Sequence, residues 1–170
     1  PADKVVSTDL KKAGNKLYLI KHNALANYMP NVEQLKENWT YTTNAIQSGK
    51  VCATYALGFG GVAEAIAKMS FGNELAVDIQ IAENELFDYN YGSILVEATE
   101  ELSLPAAQYI GTVIEGTHLV INGEQVSREV LLHACCGQFD KIYPSAVPAQ
   151  HQALMPADTL PLTSNLSPLT

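Results

Sequence analysis

Apolar and polar positions along this chain switch between two periods, and the switches mark its elements. Residues 17–20 are an unbroken apolar run, which predicts a short buried strand. Residues 22–30 are a loop by composition, closed by Pro30. Asn31 and Gln34 form a variant of the capping box, and Val32, Leu35, Trp39 and Ile46 then repeat at helical spacing. The pattern predicts one amphipathic helix over residues 31–48, ended by Gly49. Residues 50–55 are the next strand. Val62, Ala65, Ile66 and Met69 form the buried stripe of a second helix, closed by Gly72 and Asn73. Residues 75–81 alternate as a strand does, and residues 92–98 are another, with Ile94 and Val96 on one side and Leu95 on the other. Residues 109–114 are β-rich. Residues 118–121, then Asn122-Gly123, then residues 124–126 predict a hairpin, because Asn-Gly supplies the positive φ angles of a type I′ turn. Ser127 caps a third helix running to Cys136, with Val130, Leu131, Ala134 and Cys135 facing in and Gly137 ending it.

These elements amount to about six strands and three helices. Strands and helices do not alternate regularly. The expectation is therefore an α+β domain, a mixed β-sheet with packed helices, rather than a doubly wound parallel sheet. Residues 1–13 are polar, carry Lys4, Lys11 and Lys12 with Lys16 just beyond, and read as an N-terminal connector. The domain proper spans residues 14–143. Residues 144–170 hold five prolines and few charges, and read as a Pro-rich linker or tail. The chain has no internal repeat.

Composition narrows the class. At 170 residues and 47% hydrophobic, the chain is long enough for one domain with a real core. A net charge of −8 argues against a nucleic-acid partner, since phosphate backbones call for patches of Lys and Arg. Scattered along the chain, it reads as a solubility feature. Cys52, Cys135 and Cys136 are not a disulfide framework, and no spacing suggests a zinc or other metal site. The expected setting is reducing and cytoplasmic. No apolar stretch reaches bilayer length and no signal-peptide pattern opens the chain, so no membrane partner is expected. Pro1 in place of an initiator Met predicts a processed or excised chain.

Few residues invite chemistry. A strand runs into Gly58, Phe59, Gly60 and Gly61, which open an alanine-rich helix. A helix N-terminus presents unpaired N–H groups and partial positive charge, and glycines let an anion approach without a Cβ in the way. One reading is a phosphate or carboxylate contact at these four residues; the other is a tight strand-to-helix turn with close packing. The loop lacks the Lys-Ser/Thr of a P-loop and the full dinucleotide spacing, so both stand open. His22, His118, His133 and His151 fall in no metal-ligand spacing, and His133 reads as partly buried packing. Cys135 and Cys136 show neither a base nor an electropositive setting and read as core, as does Cys52. Glu83, Glu85 and Asp88 read as a solvated loop, Tyr89 and Tyr91 as packing before a strand, and Glu97 and Glu100 as surface charges. No catalytic set emerges.

The run ATYALGFGGVAEAIAKMSFGN, residues 53–73, resembles the opening of the C-terminal domain in the aminoimidazole ribonucleotide synthetase superfamily. Within it the chain looks most like the long, single-chain form of phosphoribosylformylglycinamidine synthase, also called formylglycinamide ribonucleotide amidotransferase. DLKKAGNKLYLI at 9–20, KMSFGNELAVDI at 68–79 and ELFDYNYGSILVE at 85–97 agree with it, and YIGTVIEGTHLVING continues it more weakly. The likeness covers roughly residues 5–143. It implies an enzyme that makes formylglycinamidine ribonucleotide from formylglycinamide ribonucleotide, glutamine and ATP in de novo purine synthesis. This chain would be the C-terminal lobe of the second of two related synthetase halves, and its tail the connector towards a glutaminase domain. ATP and magnesium belong mainly to the N-terminal lobes of such an enzyme. The fragment is therefore expected to be inactive alone, with no tightly bound cofactor, and its partners to be those lobes, the glutaminase and a small-molecule substrate. The loop keeps the family's glycines and loses its acidic and histidine positions, so no catalytic residue carries over. Gly58, Phe59, Gly60 and Gly61 are expected near the ligand cleft. The alternatives are a stand-alone ligand-binding or assembly module of the same superfamily, or a selenophosphate synthetase-like lobe.

Overall fold

The computed structural model describes residues 4–139 and Ile142. Its elements run β1 (Lys16–Ile20), α1 (Val32–Gln47), β2 (Val51–Ala56), α2 (Gly61–Phe71), β3 (Leu75–Ile79), α3 (Glu83–Leu86), β4 (Ile94–Ala98), β5 (Ala107–Glu115), β6 (His118–Ile121), β7 (Glu124–Ser127) and α4 (Arg128–Cys136), with a 3-10 turn at Gly137–Phe139. The seven strands form one sheet in the order β2-β4-β1-β5-β3-β6-β7. Every pairing is antiparallel except β3 with β6, so the sheet is mixed, as expected.

β1 explains why its sequence does not alternate. It lies inside the sheet, and helices cover both faces. Leu17 and Leu19 enter the larger core, where Val62, Ala65, Ile66 and Met69 of α2 pack against Val77, Ile79 and Leu95. Tyr18 and Ile20 enter a second core with Ala45 of α1, Val51, Val96, Ala98 and Leu102. A strand buried on both faces reads as a continuous apolar run. The hairpin turn forms as predicted, with Asn122 at φ 53° and Gly123 at φ 87°. The α2 stripe is also where it was expected.

Three expectations are corrected. In α1 the buried residues are Asn38, Thr42 and Ala45, while Val32 and Trp39 are about half exposed. Asn38 Nδ2 donates to the Lys21 carbonyl at 3.1 Å, and the Thr42 hydroxyl donates to the Asn38 carbonyl at 2.8 Å, so two polar side chains can face the sheet. Asn31 caps the helix as foreseen, its side chain accepting from the Gln34 amide. In α4 no residue is buried: of the four expected to face in, only Leu131 packs against the core, and His133, Cys135 and Cys136 are exposed. Glu97 is not a surface charge but fully buried in β4. Its carboxylate accepts from the amides of Lys11 (2.7 Å) and Lys12 (3.1 Å) and from Asn15 Nδ2 (2.5 Å). These bonds, with Leu10 buried in the larger core, hold residues read as a connector against the sheet. The tail at 144–170, with His151, lies outside the described residues.

Candidate functional site

β2 hands the chain to the glycine loop where Leu57 turns inward and its amide bonds the Ser93 carbonyl at 3.0 Å. α2 then starts at Gly61 in the left-handed region, φ 63°. A Cβ on Gly61 would stand 2.8 Å from the Asp88 carbonyl oxygen and 3.0 Å from that of Leu86. Only glycine satisfies both demands. The helix opening is thus pressed against the backbone that leaves α3.

The N-terminus of α2 is capped from within. The Gly60 amide donates to Glu64 Oε2 at 2.8 Å, and Glu64 Oε1 meets Lys68 Nζ at 2.6 Å. Lys68 first, then the Gly60 amide, hold the Glu64 carboxyl below its ordinary value, while Glu64 and the Tyr55 hydroxyl raise Lys68. A Cβ on Gly60 would approach Glu64 Cβ to 2.6 Å. An anion arriving at this amide competes with the protein's own carboxylate.

Beside the loop stands an aromatic ladder. Phe59 is 72% exposed, Tyr89 and Tyr91 each 57%, so the two tyrosines are not interior packing as the sequence suggested. Phe59 meets Tyr89 edge-on at 4.9 Å between centroids, and Tyr89 lies near-parallel to Tyr91 at 6.3 Å. Between the tyrosines Asn90 is buried, and its Nδ2 is a buried side-chain donor with no partner among the described residues. The Asn90 amide bonds the Asp88 carbonyl, the same group that presses on Gly61.

His22 fixes this segment from behind. It is buried, its Nε2 accepts from the Asn31 amide at 3.0 Å, and its Nδ1 therefore carries the proton and donates to the Tyr91 carbonyl at 2.8 Å. Gly92, at φ 89°, leaves room for the ring: a Cβ there would fall 3.0 Å from Nδ1 and 2.6 Å from Leu35 Cδ2. Sequence reasoning missed His22, and the signal available was the unusual Tyr-Asn-Tyr-Gly run it braces.

A cleft of about 570 Å³ lies next to the loop rather than in it, lined by Leu86, Phe87, Ile121, Asn122 and Val126 with Glu83 and Glu124. That volume is in the range of small-molecule sites. Among the described residues no group of three or more His, Cys, Asp or Glu could hold a metal ion. Glu85 is paired with Lys21 at 2.5 Å. The described residues thus offer no ready-made cluster of three such cation ligands. Among them no helix is long and apolar enough to cross a membrane.

No family model matches the chain, and no curated protein does. Solved structures share its fold. Among them are PurLQS from Thermotoga maritima, with a TM-score of 0.65 at 14% identity, over 76% of this chain and 28% of that one. Phosphoribosylformylglycinamidine synthase II from the same organism gives 0.62 at 13%, over 76% and 28%. T. maritima PurL complexed with ATP gives 0.59 at 13%, over 76% and 27%. The chain thus spans little more than a quarter of the length of these neighbours. At such identity the likeness establishes the fold, and it is the aminoimidazole ribonucleotide synthetase-like fold that the sequence suggested.

Proposed function

We propose that this chain is the C-terminal lobe of the second synthetase half of a phosphoribosylformylglycinamidine synthase and acts inside a longer ATP-dependent ligase. The observation that carries the reading is the shared fold: three quarters of this chain overlays little more than a quarter of PurLQS. The run of family-like motifs over residues 53–97 supports it. In this reading the parent enzyme forms a C–N bond, using ammonia released from glutamine by a glutaminase domain and energy from ATP. ATP and magnesium sit on the N-terminal lobes. This lobe contributes a wall: Gly58 and Phe59 border the substrate, and behind them lies the Asn90 side-chain donor, which has no partner among the described residues.

The test is ADP release with formylglycinamide ribonucleotide and ammonia. The chain alone is expected to release none above background, and the chain joined to its N-terminal lobes to release ADP in step with substrate. Turnover by the chain alone refutes the lobe reading. ADP release by the joined enzyme that ignores formylglycinamide ribonucleotide refutes the substrate.

A further inference from the structure

Residues 88–93 lie between α3 and β4 and belong to no helix or strand, yet they carry Tyr89 and Tyr91 of the aromatic ladder. Both tyrosines are more than half exposed, so burial does little to fix them and the backbone has to do it. The two ends of the stretch rest on the glycine loop: the Asp88 carbonyl lies close to Gly61, and the Ser93 carbonyl accepts from the Leu57 amide. Its middle is held by His22.

His22 is itself held by α1. The Lys21 carbonyl accepts from Asn38 Nδ2 at 3.1 Å, His22 Nε2 accepts from the Asn31 amide at 3.0 Å, and the Asn23 amide donates to Gln34 Oε1 at 2.8 Å. Three successive residues are thus stitched to the N-cap and first two turns of that helix. From this base the imidazole reaches across. With Nε2 taken as an acceptor, the neutral ring carries its proton on Nδ1, and that N–H donates to the Tyr91 carbonyl at 2.8 Å. The His22 amide adds a second bond, to Ser93 Oγ at 2.9 Å. We infer that His22 is a positioning residue: its ring transfers the fixed frame of α1 to Tyr91 and so sets where Tyr89 and Tyr91 stand beside Gly58 and Phe59. The hold on Tyr91 rests on this geometry alone; its effect on a substrate rests on the ligase reading.

Two substitutions cut the ring's two bonds one at a time. Asparagine places its amide N–H where Nδ1 stands, so His22→Asn keeps the Tyr91 bond and gives up Asn31. Glutamine reaches as far as Nε2 with its oxygen, so His22→Gln keeps Asn31 and gives up Tyr91. The amides of Asn90 and Ser93 are hydrogen-bonded within the stretch and report on it. Their hydrogen exchange is expected to quicken about tenfold in His22→Gln and by less than about twofold in His22→Asn. In the enzyme joined to its N-terminal lobes, His22→Gln is expected to raise KM for formylglycinamide ribonucleotide about tenfold with kcat little changed, because a wall that binds ground state and transition state alike acts on KM. His22→Asn is expected to leave KM near the native value. A role in folding alone would move both variants together, in step with their melting temperatures.

Equal exchange in the two variants overturns the hold on Tyr91. Ring-nitrogen NMR shifts of the native chain are expected to show Nδ1 protonated and Nε2 bare, and any other pattern overturns it whether or not either variant folds. A native KM for His22→Gln, in a joined enzyme that still requires formylglycinamide ribonucleotide, overturns the effect on substrate and leaves the ligase reading standing. A joined enzyme that does not require it refutes the ligase reading, and the exchange result still decides the hold on Tyr91.

Discussion

Glu97→Gln separates a buried organising carboxylate from a surface charge. The native carboxylate is fully buried and accepts three hydrogen bonds, from the amides of Lys11 and Lys12 and from Asn15 Nδ2. Glutamine keeps the shape but turns one oxygen into a donor. If the amide nitrogen replaces Oε2, the Lys11 N–H loses its acceptor. If it replaces Oε1, Asn15 can flip its amide to accept, but the Lys12 N–H is orphaned and Asn15 abandons the Cys52 sulfur. Either way a main-chain donor loses its partner, at about 1–3 kcal/mol, and the bonds that remain lose their ionic strengthening, about 1 kcal/mol more. The expected loss is about 2–4 kcal/mol, against about 0.5 kcal/mol or less for a solvated carboxylate. Urea unfolding of the native and substituted chains measures it. Hydrogen exchange adds a local readout: the amides of Lys11 and Lys12 are expected to lose protection well before those of β5. A midpoint that does not move, or Lys11 and Lys12 amides that exchange as slowly as before, refutes the reasoning.

Three further outcomes follow from the same geometry. Gly61→Ala is expected to lower the urea midpoint by the equivalent of about 2–4 kcal/mol, since a left-handed alanine costs about 1 kcal/mol and its methyl meets two backbone carbonyls that cannot rotate away; a change under about 1 kcal/mol would mean the α3 segment yields easily. The Glu64 carboxyl is held below its ordinary value, chiefly by Lys68, so its stabilisation is complete above the unfolded-state value and fades as pH falls through the lowered one. Melting temperatures of the native chain and of Glu64→Gln should therefore converge on acidification, and a gap that stays constant with pH contradicts the pairing. Burial, then the Glu97 charge, pushes the Cys52 thiol up to about 11, so its alkylation should rise steeply only at alkaline pH, and Glu97→Gln should move that rise downward.

What could be read in the sequence was local. Asn122-Gly123 specifies its turn through its own backbone preferences, and the α2 stripe needs only one apolar neighbour surface, the sheet. The failures share a cause. Glu97 looks like any charged residue because its donors lie 82 to 86 positions earlier in the chain. Asn38 and Thr42 look like an outer face because hydrophobicity does not register the Lys21 carbonyl that satisfies Asn38. α4 was expected to bury four residues because its pattern is apolar, yet the described residues supply a partner for Leu131 alone. At the candidate site the glycines were visible and their neighbours were not: the Asn90 donor without a partner among the described residues and the His22 brace depend on which segments the fold brings together, and Glu64 reaching back to the Gly60 amide depends on where the helix begins.

The glycine loop can now be divided by what each residue is for. Gly61 is required by its φ and by the Asp88 and Leu86 carbonyls, and Gly60 by the closeness of Glu64, so neither supports a ligand. Gly58 is different. Its φ is not positive, and a Cβ there would find only Glu64 Oε2, at 3.6 Å, an ordinary contact. Nothing in the fold asks for glycine at that position, and nothing in the fold asks Phe59 to stand in solvent beside it. Gly58→Ala should therefore leave stability unchanged or raise it by up to about 1 kcal/mol, because alanine narrows the unfolded ensemble. If Gly58 borders the substrate as proposed, the same methyl obstructs its approach in the joined enzyme, and kcat/KM for formylglycinamide ribonucleotide should fall while the melting temperature does not. If both hold steady, all three glycines serve the turn, and the ligand reading of residues 58–61 fails even where the lobe assignment stands.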